Sequence, residues 1–303
     1  TAVGIRPLTN VNYSLSNEVK LQGTGSFVQY GYEGSGGISQ AYWANGLRLA
    51  KGLFIGAEIT YNFGSVTNEA KATVLDPLSQ FTTDISEQTT FSDLSISPSV
   101  SYNIEVDSSV YIGAGLEYER EIDMSVGFNR QYLRQSLSGG IVTADTIRSA
   151  NGTVTLPNRI SGGLSLYRPY HYSLGIDFSF GTWSDYNNEF RSTDLADAYR
   201  VAIGGEWTPD INSVSSFFKR ITYRMGAHYE NTPWSVNGEQ ISDVGINFGF
   251  SMPVSRGLSY LNWAFAVGQR GSIENGLVQE RYFRVGLGIS INDPQWFRRR
   301  KIN

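Results

Sequence analysis

The sequence predicts an all-β protein, a transmembrane antiparallel up-and-down β-barrel of twelve strands. Stretches of about a dozen residues alternate apolar and small polar side chains, as from Tyr172 to Phe180 and, most clearly, from Leu94 to Ile104. Because successive side chains of a strand point to opposite sides, each stretch presents one apolar and one polar face. Short and long connections alternate along the chain, as in outer-membrane barrels. No apolar run reaches ~18 residues, so no membrane helix is predicted.

The composition excludes several other classes of protein. Of 303 residues, 17% are charged and 33 are glycine, which argues against a disordered or collagen-like chain. The net charge of -4 gives no indication of nucleic-acid binding. Since the chain has no cysteine, a disulfide framework and a thiolate metal site are excluded, and no cofactor motif is present.

Twelve strands follow from the alternation and the turn residues. We predict them at about residues 2–14, 38–49, 53–63, 94–104, 110–119, 160–167, 171–183, 200–207, 219–230, 244–252, 261–270 and 282–292. Pro98 lacks a donor, so a bulge or bend is expected there. The long connections 65–92, 121–158, 183–197 and 231–241 are predicted to be loops. Residues 15–37 are rich in glycine, serine and tyrosine, and dividing 19–49 into two strands would give thirteen strands, but an even number is favoured. An even strand number puts both chain ends at the short turns, on the periplasmic side of a Gram-negative outer membrane.

A membrane barrel explains the two faces better than a soluble barrel with an apolar interior. The polar face is mainly glycine and serine, which suits a crowded or watery lumen. Aromatic side chains collect near both ends of the apolar face, as expected at lipid–water interfaces. One group is Tyr61, Phe63, Tyr118, Phe180 and Tyr229, and the other is Tyr102, Tyr172 and Trp207.

Several motifs are more specific than a generic barrel. They are residues 4–7 (Gly-Ile-Arg-Pro), 11–13, 34–37, 61–64, 202–206 with Pro209 and Asp210, 223–226, 267–271 (Val-Gly-Gln-Arg-Gly) and 292–301. Together they resemble a divergent branch of the FadL-like family of outer-membrane transporters for hydrophobic compounds. The resemblance implies a barrel of fourteen strands, a lumen plugged by an N-terminal hatch, and ligand exit through an opening in the wall. No hatch segment is recognisable here, and a missing hatch and first hairpin would account for the twelve strands.

The barrel is predicted to span residues 1–293, with an aromatic-basic tail at 294–303. The polar face carries charged residues that either orient a ligand or pair with one another to fix strand register, and pairing is favoured. The candidate lumen cluster is Glu58, Asp177, Arg200, Glu206, Arg220, Arg224, His228, Glu230, Arg270 and Arg284. The tail residues Trp296, Phe297, Arg298, Arg299, Arg300 and Lys301 are expected either to bind lipid headgroups or a periplasmic partner, or to form an end cap.

No catalytic or metal site is predicted. His228 would need a nucleophile for a phospholipase-like role, and no motif supplies one. The acidic residues of 183–197 lack the spacing of a calcium loop, so a solvated surface is favoured.

Two functions remain open at this stage. The first is passive uptake of hydrophobic small molecules such as fatty acids, which rests on the resemblance. The alternative is a non-transporting subunit of a larger outer-membrane secretion or protein-insertion complex. The partners expected are outer-membrane lipid, a hydrophobic ligand and other outer-membrane proteins, with no role for nucleic acid.

Overall fold

A computed structural model describes residues 1–20, 27–75, 81–136, 140–254, 259–273 and 278–291, almost entirely as strands. No helix among these residues is long and apolar enough to cross a membrane. The strands are β1 (Ala2–Lys20), β2 (Phe27–Ala50), β3 (Leu53–Leu75), β4 (Phe81–Asp107), β5 (Val110–Glu119), β6 (Ile122–Ser136), β7 (Ile141–Leu156), β8 (Arg159–Arg168), β9 (Tyr172–Gly181), β10 (Asn187–Asn188), β11 (Ala198–Trp207), β12 (Thr222–Val236), β13 (Glu239–Pro253), β14 (Tyr260–Arg270) and β15 (Glu280–Ser290).

Twelve of these strands form the wall, which confirms the predicted fold class. They pair in the order β1-β2-β3-β4-β5-β8-β9-β11-β12-β13-β14-β15, and each of these pairs is antiparallel. When β6, β7 and β10 are left out, strands that are adjacent in this order also follow one another along the chain. The wall therefore has the up-and-down topology. β1 and β15 lie at the two ends of this order, and the described residues contain no ladder between them.

The wall is polar inside and apolar outside. Thr60 and Asn62 of β3 are 2% and 1% exposed, while their apolar strand neighbours Ile59 and Tyr61 are exposed. The same contrast holds in β13, where Asp243 and Ser251 are buried and Val244 is exposed. A soluble protein buries its apolar face instead, so this arrangement requires an apolar solvent around the wall.

Aromatic side chains border the apolar band at both rims, as predicted. At the rim with the short turns, direct strand partners form the row Tyr172, Trp207, Tyr223, Phe250 and Trp263. At the other rim, Tyr118, Phe180 and Tyr199 lie in one row through Ile160. Tyr172 and Phe180 are separated along β9 by about 27 Å at roughly 3.4 Å per residue. This matches the ~25 Å apolar band of outer-membrane barrels.

Most of the predicted long loops are strands, so that part of the prediction is wrong. β4 has 27 residues, far more than the ~10 that span a bilayer. Residues 81–92 of β4 pair with β3 and β6, which carries the sheet about 40 Å past the wall at roughly 3.4 Å per residue. We call this extension the arm; it comprises residues 10–20, 27–37, 64–75, 81–92, 122–136, 140–156 and 187–188.

The arm has an apolar core of its own. Met124 and Val154 are almost completely buried, at 0% and 1% exposed, and they pack with Ile38, Phe91 and Val126. Phe128 stacks on Phe190 at 4.7 Å between ring centroids. Gly36 marks the start of the arm with a φ of 103°, which residues with a side chain rarely adopt. The arm is therefore a folded part of the protein.

Four smaller predictions also need correction or qualification. β12 begins at Thr222, because residues 218–220 form a single 3₁₀ turn before it. The predicted loop 231–241 is a continued hairpin closed by Asn237 and Gly238, both at positive φ, as a tight hairpin turn requires. At Pro98 the pairing with β3 continues without a bulge, but pairing with β5 begins only at the next residue. The predicted tail, 294–303, lies outside the described residues.

Candidate functional site: the lumen, the wall gap and the arm

Ion pairs cross the inner face of the wall. Three of them join direct partners on adjacent strands: Arg200 and Glu230 at 3.1 Å, Arg224 and Glu206 at 3.0 Å, and Arg159 and Glu119. The first four of these residues belong to the predicted lumen cluster.

A fourth pair, Arg6 and Glu58, reaches from β1 across β2 to β3, with 2.5 Å between Arg6 Nη2 and Glu58 Oε1. A slip of one residue in the pairing would separate each of these pairs and turn the charges toward lipid. This geometry favours charges that fix strand register over charges left free for a ligand.

The most buried charged group of the inner face is the Asp243 carboxylate. Tyr282 Oη donates to Asp243 Oδ1 at 2.8 Å, and His228 Nε2 lies 3.3 Å from the same oxygen. Arg270 Nε is 3.2 Å from Asp243 Oδ2. The other ring nitrogen of His228 lies 3.4 Å from Asn247 Nδ2. The imidazole is therefore held by an acid and an amide, and these contacts include no serine nucleophile.

Sequence analysis identified His228 and Arg270 but missed Asp243 and Tyr282. The predicted strand 244–252 began too late, since β13 starts at Glu239, and it therefore left out Asp243. The signal was present, because Asp243 continues the polar alternation of Gly245, Asn247 and Gly249. Tyr282 could not be found from the alternation, because its contact with Asp243 depends on the two intervening strands. The Tyr282 side chain lies over Gly268 and Gly245, and a Cβ at either glycine would collide with its hydroxyl.

Three other candidates have different surroundings. The Asp177 carboxylate lies over Gly163 of the neighbouring strand. The Arg284 guanidinium lies over the Tyr282 ring, 4.5 Å from its centroid. Arg220 is not on the inner face of a strand; it lies in the 3₁₀ turn before β12, with its guanidinium 5.4 Å from the Phe217 ring centroid.

A hollow of about 800 Å³ lies against the inner face of β4, β5, β8, β9 and β11. Its inward-facing lining is mainly glycine and serine, with Glu117, Asp177 and Arg200 among the charged groups. Gly115 and Gly163 are direct partners on adjacent strands that line the hollow. A Cβ added at Gly115 would meet no atom within 4 Å. The hollow is therefore open, and apolar side chains such as Leu116 and Phe178 complete its lining beside the polar groups.

The ladder between β4 and the next wall strand is interrupted. Pairing of β4 with β5 ends at Ser99 and Glu117, and pairing with β6 begins at Ser92 and Ser125. No ladder pairing joins residues 93–98 to residues 118–124, and we call this interval the wall gap. Ile96, on the outer face beside the gap, is 58% exposed. Pro98 lies at one end of the gap, where its missing N–H suits a strand position without a partner.

The arm carries a separate network of charges. Glu87 lies 3.3 Å from Arg130 and 2.9 Å from Arg191, which ties β4 to β6 and to the segment after β10. Burial raises the pKa of the Asp84 carboxyl, and the ammonium of Lys71, 4.0 Å away, offsets this only in part. Among the described residues, no group of three or more His, Cys, Asp or Glu side chains could hold a metal ion.

The polar inner face, the apolar outer face and the two aromatic rows define a transmembrane β-barrel of the outer-membrane type. The sequence matches the BamG family over residues 1–303, and the chain belongs to that family. The motifs in the sequence alone did not indicate this family. No curated protein matches the chain.

Solved structures with a similar fold include two channels of the kind the sequence resembles. The CymD monoaromatic hydrocarbon channel is 12% identical with a TM-score of 0.44, and the match covers 86% of this chain and 73% of that chain. The Pseudomonas putida toluene transporter TodX is 12% identical with a TM-score of 0.44, covering 91% and 80%. The RagAB peptide importer is 10% identical with a TM-score of 0.46, covering 87% of this chain and 34% of that chain. Similarity at this level indicates no shared activity.

Proposed function

We propose that the protein is a non-transporting barrel subunit of a larger assembly in the outer membrane of a Gram-negative bacterium. The observation that carries the proposal is the arm. A sheet that continues about 40 Å past the wall at roughly 3.4 Å per residue, with a closed apolar core, presents a rigid surface away from the lipid. A channel needs no such surface, whereas a subunit that positions other proteins does. The BamG family match supports this assignment over uptake.

The lumen supports the same proposal. A hydrophobic molecule that moved along the inner face would displace solvent from charged side chains without offering them new partners, which is unfavourable. Because the ion pairs of Arg200, Arg224 and Arg159 join direct strand partners, they also stabilise the register that the wall needs. In this role the lumen is structural, and we assign no catalysis to it.

The arm and the long connections are proposed to lie outside the cell, with the termini on the periplasmic side. In this orientation the arm meets the extracellular parts of neighbouring outer-membrane proteins. The aromatic-basic residues of 296–301 remain candidates for a contact with lipid headgroups or a periplasmic partner.

The proposal is tested by removing the tip of the arm. In one variant residues 131–146 are replaced by Asn-Gly, which leaves the β6–β7 pairs from Arg130–Arg148 downward intact. After gentle detergent extraction from native membranes, we expect the unchanged protein to co-purify with a fixed set of outer-membrane proteins in stoichiometric amounts. The variant is expected to lose at least one of them. Quantitative mass spectrometry of the purified complexes measures the loss.

The matched control shortens a different hairpin. Replacing the tip residues 234–239 of β12–β13 by Asn-Gly changes a connection outside the arm and should leave the set of proteins unchanged. Recovery of the unchanged protein as a lone barrel would contradict the assembly proposal.

A second candidate function, uptake of hydrophobic small molecules, is favoured by the wall gap. The hollow of about 800 Å³ on the inner face touches one end of the gap through Ser99 and Glu117. On the outer face, an apolar hollow of about 600 Å³ adjoins it, lined by side chains such as Val100, Leu116 and Phe178. In this candidate function, a ligand passes through the gap between the inner hollow and the lipid.

Passage through the wall gap is tested with the variant Ile96→Trp. A tryptophan at the gap should obstruct passage and lower the uptake of a labelled fatty acid into cells or proteoliposomes several-fold. Ile112→Trp places the same side chain on a paired, lipid-facing position of β5 and should have no effect. Equal uptake by both variants and the unchanged protein would rule out passage through the gap.

A further inference from the structure

One connection at the rim opposite the arm differs from the others. Residues 208–221 link β11 to β12, while the other connections on that rim are two to six residues long. We call residues 208–221 the foot. It is a firmly packed segment, because Thr208, Ser213 and Ile221 are buried. Asp210 N donates to Lys219 O at 2.8 Å, and Thr208 N donates to His171 O at 2.7 Å.

Large apolar side chains of the foot are nevertheless exposed. Val214 is fully exposed, Phe218 is 70% exposed, and Phe217 is exposed beside it. A turn surrounded by water would gain nothing from this arrangement, and ordering these side chains would carry an entropy cost. A contiguous exposed apolar surface on an ordered segment indicates an interaction site.

The foot turns toward the lipid-facing side of the wall. Tyr223 belongs to the outer aromatic row, and its hydroxyl donates to the carbonyl oxygen of Phe218 at 3.2 Å. Its ring also contacts that of Trp207, 6.2 Å away between centroids. Phe218 therefore adjoins the aromatic row that borders the apolar band, and the Phe217 ring lies 6.1 Å from the Phe218 ring between centroids.

Cationic groups adjoin this apolar surface. Lys219 is exposed next to Phe218, and among the described residues it has no ion-pair partner. Arg220 follows, with its guanidinium against the Phe217 ring. Apolar side chains flanked by a cation match the interface between acyl chains and phosphate groups of a membrane leaflet.

We propose that the foot is an interfacial anchor that binds glycerophospholipid headgroups. Val214, Phe217 and Phe218 insert at the boundary of the acyl chains, and the Lys219 ammonium binds lipid phosphate. The anchor holds one side of the barrel at a fixed depth in the leaflet at the short turns. This proposal depends only on the transmembrane fold and does not require either proposed function.

The depth of the foot can be measured directly because the chain has no cysteine. A nitroxide is attached to Val214→Cys in the full-length protein, reconstituted in phosphatidylcholine vesicles. Its collision rates with oxygen and with a water-soluble nickel chelate are then compared. We expect the oxygen-to-nickel ratio to be several-fold higher than for a nitroxide at Ser108→Cys, an exposed turn position on the same rim. Equal ratios at the two sites would overturn the anchor.

The role of Lys219 is tested by changing the lipid. When anionic phosphatidylglycerol is mixed into the vesicles, the oxygen-to-nickel ratio of the nitroxide at Val214→Cys should rise further. The additional substitution Lys219→Gln should abolish that rise. A rise that survives Lys219→Gln, or no rise at all, would overturn the assignment of Lys219 to the headgroup. Because Val214 and Lys219 are both exposed, neither substitution should prevent folding.

Discussion

Met124→Ala is expected to loosen the arm while leaving the wall intact. Met124 is completely buried in the arm core, and truncation of a buried methionine to alanine costs about 2–5 kcal/mol. The cavity lies between β6, β7 and the outer parts of β2–β4, so its effect falls on the arm. A loss of about 2 kcal/mol corresponds to roughly 30-fold faster exchange of amides that open with the core. Hydrogen–deuterium exchange by mass spectrometry should show this change in the strands of the arm and not in the wall.

The chain offers a matched control for this substitution. Met225→Ala makes the same change on the outer face of β12, where the side chain is 68% exposed and its removal leaves no cavity. We expect exchange in the arm to be unaffected by it. If the amides of β6 and β7 exchanged no faster in the Met124→Ala variant than in the Met225→Ala variant, the apolar core would not be what stabilises the arm. If the arm positions other proteins, Met124→Ala should also weaken their co-purification, and Met225→Ala should not.

Asp243→Ala is expected to destabilise the wall at β12–β15. The carboxylate accepts from Tyr282, lies against His228 and pairs with Arg270, so its removal deprives three groups on three strands of a partner. Breaking a buried, hydrogen-bonded pair by removing one partner costs about 2–4 kcal/mol. The midpoint of urea-induced unfolding, followed for the refolded barrel in detergent, should fall accordingly.

Glu206→Ala provides the comparison for a more exposed pair. Glu206 also pairs with an arginine on the adjacent strand, but both side chains are nearly half exposed, so its loss should cost less than about 1 kcal/mol. Asp243→Asn should be intermediate, since an amide keeps one acceptor and the same shape. If Asp243→Ala and Glu206→Ala shifted the midpoint equally, burial of the Asp243 carboxylate would contribute nothing to the stability of the wall.

The wall was predictable from the sequence because its signal is local. Alternation with a period of two assigns each side chain to a face as soon as a strand exists, so Thr60 and Leu174 could be placed without any knowledge of their neighbours. The predicted aromatic borders follow from the same alternation, as Tyr172 and Trp207 illustrate. The number of wall strands followed from the turn residues between them.

The arm was not predictable in this way, because its strands lack a clean apolar face. Residues 81–92 are rich in threonine, serine and acidic groups, a composition that suits a loop as well as a strand. They form a strand because β3 and β6 pair with them on both sides and because Phe91 reaches the core around Met124. Pairing partners of this kind are a property of the assembled sheet.

The sequence by itself therefore determined the class of fold, the wall strands and the face on which most charged residues of these strands lie, since backbone geometry assigns faces locally. Only the tertiary structure decided which charges meet, where the wall ladder is interrupted, and that the polar connections become the arm. Asp243 and Tyr282 are far apart in the chain, and only the register of β13, β14 and β15 brings them within hydrogen-bonding distance. Register depends on all the neighbouring strands at once, and no local pattern encodes it.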